Sequence, residues 1–202
     1  LGHVQSSNQA NACVETAVGD RWLSFTLRPP SGGWLEQATM PAVCGIEDSG
    51  HVVLPAPHPH LDSAWSLVGD GAATLCAVLL AAASGGGGSF ERGWKQRISI
   101  KDSQRERWHA GAEVFLRTEQ TLLNVMQELG FEAQRRRIEG EENLLLVHGT
   151  SSEGVASFGI RNSGTQAKTS LSVRLSRKVA IEPFVALLKE IQTDLTKTLT
   201  DG

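Results

Sequence analysis

The side chains best suited to chemistry in this sequence are basic residues in its second half. Guanidinium groups form paired hydrogen bonds with phosphate and carboxylate groups, and clustered cations attract anionic surfaces. Several glutamates lie close to them in the sequence, so a solvated strand face compensated by carboxylates is the alternative interpretation. The candidate anion-binding or partner-binding residues are Arg135, Arg136, Arg137, Arg174, Arg177 and Lys178.

The position of these cations on strands decides which of them share a surface. Successive side chains of a strand point to opposite faces, so Arg135 and Arg137 would lie on one face and Arg136 on the other. Arg174 stands between Val173 and Leu175, which predicts that it points away from their apolar core. The sequence leaves open whether Arg136 or the other two arginines join Arg174.

Three histidines, His51, His58 and His60, lie near each other in the first half of the chain. Together with Asp62 or Cys44 they have the donor types that bind transition metals. A His-Pro-His sequence in a proline-rich loop is more typical of an exposed segment. We therefore expect no metal site here.

Two further features resemble catalytic elements only superficially. Cys76 lies in an apolar run, where a cysteine is expected to be a small buried hydrophobe and not a nucleophile. The glycines at 85–88 are followed by Ser-Phe-Glu-Arg, whereas a phosphate-binding loop needs Gly-Lys-Ser/Thr opening a helix. We expect no catalytic residue, no cofactor-binding residue and no enzyme activity in this chain.

The charge distribution divides the chain. Residues 1–89 carry two basic and seven acidic residues, and residues 90–202 carry seventeen basic and fifteen acidic ones, giving the net charge of -3. Neither half has the basic excess expected of a nucleic-acid-binding domain. Three widely spaced cysteines and no signal-peptide pattern predict an intracellular location, cytoplasmic or nuclear. The chain begins without methionine, which predicts that it is a fragment of a larger protein.

The first unit, residues 1–83, is expected to be strands followed by one helix. Alternating apolar and polar residues, or short apolar runs, predict strands at 13–18, 22–27, 42–46 and 51–54. The prolines from Pro55 to Pro59 argue against a central strand there. A helix capped by Asp62 or Ser63 would run to Leu79, with Trp65, Val68, Leu75, Val78 and Leu79 as its apolar positions. Residues 84–89 are a Gly/Ser linker, natural or engineered.

The second unit, residues 90–202, has a clearer pattern. It predicts a strand at 96–100, a helix over 113–129 stopped by Gly130, strands at 131–138, 143–148, 155–160 and 170–176, and a final helix over 182–199. Two helices over one face of an antiparallel sheet make an α+β fold.

This order resembles a KA1-type kinase-associated domain over residues 95–199. The resemblance rests on the sequence LLNVMQELGFE at 122–132 and on LSVRLSR at 171–177. The first unit is similar, more faintly, to a polo box, through LPAPHPHL at 54–61. The chain lacks a recognisable His-x-Lys phosphate pincer, so phosphopeptide binding is not carried over.

The resemblance implies a non-catalytic regulatory or localisation module at the C-terminal end of a Ser/Thr kinase of the polo-like or kinetochore type. Such a module binds protein partners. Kinase-associated domains also bind anionic phospholipids through basic residues, which makes a peripheral membrane module the alternative. A small structural subunit of a larger assembly remains a third hypothesis. No cofactor and no nucleic acid are expected.

Overall fold

The computed structural model describes residues 2–6, 12–17, 19–28, 35–36, 38–47, 50–84, 93–164 and 166–200. The chain divides into two units, Leu1–Ser89 and Phe90–Gly202. Both consist of antiparallel strands and helices, which confirms the α+β class. Residues 85–88, the glycines of the predicted linker, lie outside the described part of the chain.

The described part of the first unit has six antiparallel strands in the order β2-β1-β4-β5-β6-β3. Their bounds are β1 (Gly2–Ser6), β2 (Ala12–Thr16), β3 (Leu35–Glu36), β4 (Val43–Glu47), β5 (Val52–Pro57) and β6 (Ala64–Val68). Two helices are interspersed, α1 (Asp20–Leu27) and α2 (Gly71–Ala83). Leu23, Leu27 and Val53 form its buried cluster.

The strand predicted at 22–27 is wrong, because these residues form helix α1. Leu23 and Leu27 are both buried and lie four residues apart, which places them on one helical face. The same residues also fit an alternating pattern, so periodicity alone does not distinguish the two structures over so short a segment. Arg28 is extended, as expected before Pro29, and ends the helix.

The exclusion of a strand at the prolines is also wrong. Pro55 and Pro57 lie on β5, a strand with neighbours on both sides in the sheet order. The pairing of β5 with β4 covers only Val52 and Val53, whereas its pairing with β6 continues to Pro57. The prolines therefore lie where β5 is paired on one side only, which is the position that a missing N–H group tolerates.

The helix predicted from Asp62 or Ser63 to Leu79 is in fact two elements. Trp65 and Val68 belong to strand β6, and Asp70 is the true N-cap of α2, where its carboxylate accepts a hydrogen bond from the Ala73 amide at 2.8 Å. The apolar side chains of α2 are not buried, and Leu75, Val78 and Leu79 are each nearly 60% exposed. Apolar residues occur on all sides of this helix, so its sequence does not single out one face for burial.

The second unit follows the predicted order of one strand, a helix, four strands and a final helix. Its elements are β7 (Trp94–Lys101), α3 (Glu113–Glu128), β8 (Glu132–Arg136), β9 (Leu145–Ser151), β10 (Gly154–Asn162), β11 (Lys168–Leu175) and α4 (Glu182–Thr200). Gly130 follows α3 with a φ of 82°, a conformation that favours glycine and ends the helix as predicted.

The five strands of this unit form an antiparallel sheet in the order β7-β11-β10-β9-β8. Helix α3 contacts β8 and β9, and α4 contacts β11 and β7. Between the helices and the sheet, Phe158 and Phe184 stack at 6.0 Å, and Trp108 and Phe115 lie 4.9 Å apart, all with almost no exposure. One face of the sheet is thus buried, and the residues that alternate with the core point to the opposite face.

Candidate functional site

The face of the five-stranded sheet opposite to the helices is the candidate site. On β7, Ile98 and Ile100 pack into the core, and the alternating residues Lys95, Arg97 and Lys101 are exposed on the other face. On β11, Val173 and its alternates are buried, which leaves the even-numbered positions for the open face. Sequence alternation therefore determines the chemistry of this surface.

The register of β7 and β11 places these open-face residues in four cross-strand pairs. Lys95 is opposite Arg174, Arg97 is opposite Ser172, Ser99 is opposite Ser170, and Lys101 is opposite Lys168. We call these eight positions the basic ribbon. It contains five cations, three hydroxyl groups and no carboxylate.

The size of the basic ribbon follows from strand geometry. Neighbouring side chains on one face of a strand are about 6.7 Å apart, and adjacent strands are about 4.8 Å apart. From Lys95 to Lys101 the ribbon is thus about 20 Å long, with a cation or a hydroxyl group at every step. Such a surface offers a row of donors to an extended anion.

Hydrogen bonds of the serine hydroxyl groups fix several side chains within the ribbon. The Arg97 guanidinium donates to Oγ of Ser170 at 3.2 Å, and the hydroxyl groups of Ser99 and Ser170 lie 3.3 Å apart. The Ser172 hydroxyl donates to the carbonyl of Gly159 at 3.2 Å. These contacts hold side chains of the ribbon in place, which lowers the entropy that ordering them on a partner would cost.

The ribbon contains two pairs of like charges directly opposite each other, Lys95 with Arg174 and Lys101 with Lys168. Like charges at such positions destabilise a sheet. Lysines on an edge strand protect against unwanted pairing, and β7 is an edge strand. That explanation does not extend to Lys168 and Arg174, because β11 lies inside the sheet.

The remainder of the open face is less basic. Arg161 is ion-paired with Glu141 at 2.8 Å, and Glu132 is a carboxylate on β8. At the described strand positions of this face, no phenylalanine, tryptophan or tyrosine occurs. Stacking of nucleic-acid bases, which requires aromatic platforms, therefore has no support here.

The predicted basic residues do not form a single patch. Arg136 is exposed on the open face of β8, and Arg174 is on the open face of β11, with β9 and β10 between them. Three strand spacings separate the two, about 14 Å. Arg137, Arg177 and Lys178 are exposed just outside the strands.

Arg135 has a structural environment on the helix side of β8. Its guanidinium donates to a carboxylate oxygen of Glu119 at 2.8 Å and lies 4.8 Å from the ring centre of Phe115. The side chains of Arg135 and Glu119 are only 16% and 19% exposed. The alternation thus assigns Arg136, and not Arg135, to the open face.

Sequence reasoning missed Lys95, Arg97, Lys101 and Lys168. The sequence WKQRISIK at 94–101 does show the signal, since basic residues occupy three of the four positions that alternate with the core. The pairing of β7 with β11, about 70 residues later, brings in the remaining cations. That long-range pairing could not be read from local pattern.

The cysteine and the histidines considered for other chemistry lie in separate parts of the first unit. Cys76 is exposed on α2, which corrects the expectation of a buried side chain. The rings of His58 and His60 lie 6.2 Å apart, whereas His51 is instead grouped with Asp20 and Glu47. Among the described helices, none has both the length and the apolar character required to cross a membrane.

Comparisons of the chain with protein-family models, with curated protein sequences and with solved structures return no match. The case for a function therefore depends on the geometry and charge of this chain alone.

Proposed function

We propose that the chain is a non-catalytic interaction module whose basic ribbon binds an acidic segment of a protein partner. The observation that carries this proposal is the cluster of five cations at facing positions of β7 and β11, of which Lys95, Arg97 and Lys101 are exposed. An anionic partner would be attracted to these cations and would offset the repulsion between them. In the C-terminal region of a Ser/Thr kinase, such binding would localise or regulate the enzyme.

The spacing of the ribbon favours an extended acidic peptide. In an extended chain, alternate side chains lie about 6.7 Å apart on one side, the same interval as the cations along β7. Carboxylates at every second residue could then meet Lys95, Arg97 and Lys101 in turn. Each contact is exposed and worth little alone, so affinity would come from several contacts and would fall with salt.

A membrane with acidic phospholipids is the second candidate, and the position of Arg136 favours it. This residue extends the positive charge to β8, the opposite edge strand from β7. A planar anionic surface would contact cations across the whole width of the sheet, whereas one peptide would contact only the ribbon. Each cation near such a surface contributes about 1 kcal/mol.

Binding can be tested by fluorescence anisotropy with a labelled peptide that alternates Glu and Ala, and by co-sedimentation with phosphatidylserine vesicles. The test variant is Lys95→Glu with Arg97→Glu. Its control, Lys189→Glu with Lys197→Glu, makes the same change in net charge at exposed positions of α4. We expect the first pair to abolish peptide binding and the second to retain it.

The two candidates give different results with Arg136→Glu. Loss of vesicle binding with unchanged peptide binding would favour the membrane. Equal loss in the ribbon variant and the α4 control would mean that only net charge matters, and would contradict a specific site. Absence of wild-type binding to both probes at low salt would refute the proposed function.

A further inference from the structure

Three polar side chains converge at one end of the first unit. Asp20 lies in the first turn of α1, Glu47 is the last residue of β4, and His51 directly precedes β5. The Glu47 amide donates to the carbonyl of His51 at 2.9 Å, and the Gly50 amide donates to the carbonyl of Glu47 at 3.0 Å. These hydrogen bonds fix the separation of Glu47 and His51 at the turn.

One ligand atom from each residue lies within 4.8 Å of the other two. Nδ1 of His51 and a carboxylate oxygen of Asp20 are 3.3 Å apart. Bonds of about 2.1 Å from a zinc ion would place neighbouring ligands of a tetrahedron about 3.4 Å apart. The His51 to Asp20 distance is close to this value, and the ligand atom of Glu47 lies within 4.8 Å of both.

Glu47 is the buried member of the three-residue cluster. Glu47 is only 7% exposed, and its carboxylate accepts a hydrogen bond from the Gly19 amide at the start of α1. A helix N-terminus can account for one carboxylate. The carboxylate of Asp20 and the imidazole of His51 lie at the same point, so the cluster offers two kinds of metal donor.

We propose that Asp20, Glu47 and His51 bind a divalent transition-metal ion, with Zn²⁺ the best match to the donor set. One imidazole and two carboxylates suit zinc, whereas Mg²⁺ and Ca²⁺ prefer oxygen ligands throughout. The Gly19 amide orients the Glu47 carboxylate, as hydrogen bonds from surrounding groups do in metal sites. Asp20 and His51 are exposed, so an ion can enter from solvent.

This site would tie α1 to the β4–β5 turn and is independent of the basic ribbon. Its three ligands lie on α1, at the end of β4 and directly before β5, the elements that contribute or adjoin the buried cluster of Leu23 and Val53. Because an ion that binds only the folded state stabilises it, zinc should raise the melting temperature of the chain.

The experiment is isothermal titration of the chelator-treated full chain with Zn²⁺. We expect one ion per chain, and His51→Ala should weaken binding by at least about tenfold, since even outer-shell partners of metal sites matter that much. The His60→Ala variant is the matched control and should bind as the wild type does, because His60 is an exposed histidine outside the cluster. Glu47→Gln should also lose binding, with circular dichroism verifying that it folds.

Cysteines are the competing ligands, and alkylation of the native protein with iodoacetamide separates the two cases. Zinc binding that survives alkylation supports the assignment. Zinc binding that disappears after alkylation, that is equal in the His51→Ala variant, or that is absent from the wild type would overturn it.

Discussion

Lys101 and Lys168 lie directly opposite each other on β7 and β11, on the sheet face opposite to helices α3 and α4. Opposed like charges on neighbouring strands reduce the stability of a sheet. The pair therefore gives a direct way to separate stability from binding.

Replacing one member of this pair should have opposite effects on the two properties. Lys101→Glu creates an opposite-charge pair with Lys168, and we expect the free energy of unfolding to rise by about 0.2–1 kcal/mol. Binding of the acidic peptide should weaken. Urea unfolding followed by tryptophan fluorescence measures the first effect, since Trp108 is fully buried in this unit.

The control for this prediction is Lys189→Glu on α4, which changes the charge equally without a facing lysine and should alter stability by less than about 0.5 kcal/mol. A Lys101→Glu variant that is less stable than the wild type would show that the cross-strand repulsion is not significant.

Arg135 and Arg136 are adjacent in sequence, and their substitutions should have contrasting effects. Arg135→Ala removes an ion pair with Glu119 and a contact with the Phe115 ring at low exposure, so we expect a loss of about 1–3 kcal/mol of stability. Vesicle binding should be retained by that variant. Arg136→Ala should cost less than about 0.5 kcal/mol and weaken vesicle binding. The reverse pattern in denaturation and co-sedimentation would mean that the face assignment is wrong.

The exposure of α2 can be tested through Cys76. This thiol is exposed, whereas Cys44 on β4 is half-buried. A thiol reagent applied to the native protein should therefore label the peptide containing Cys76 before the peptide containing Cys44, as measured by mass spectrometry over time. Equal or slower labelling of Cys76 would indicate that α2 is covered in solution.

The second unit was predictable because its elements are long and their patterns are unambiguous. Helix α3 has buried residues at Val114, Phe115 and Thr118, and such adjacent buried residues fit a helical period over sixteen residues but not strict alternation. The cations of the ribbon were partly visible in the alternation of β7. The partners that complete the ribbon depend on pairing over a long sequence separation, which local pattern does not contain.

The first unit was less predictable because its elements are short and ambiguous. Eight residues at Asp20–Leu27 fit both periods, and the sheet position of Pro55 depends on where the β4 pairing ends. The cluster around His51 was missed for a related reason. Its partner Asp20 lies about 30 residues earlier, next to the segment 22–27 that was predicted to be a strand.

A glycine beneath α1 provides the sharpest test of that helix. A methyl group added at Gly45 on β4 would lie 2.9 Å from Cβ of Leu23, closer than packed carbon atoms tolerate. Because Leu23 is fully buried on α1, the helix would have to move away from the sheet. We expect Gly45→Ala to destabilise the first unit by about 1–3 kcal/mol, the usual cost of overpacking.

The control is a double-mutant cycle between these two positions. Leu23→Ala alone removes buried side-chain atoms and should cost about 2–5 kcal/mol. In the double variant the smaller residue leaves space above Gly45→Ala, so the combined loss should be less than the sum of the single losses by more than about 0.5 kcal/mol. Denaturant unfolding of the wild type and the three variants measures all four corners of the cycle. Strict additivity would contradict the contact, because Leu23 on a strand or on the other face of α1 would not touch residue 45.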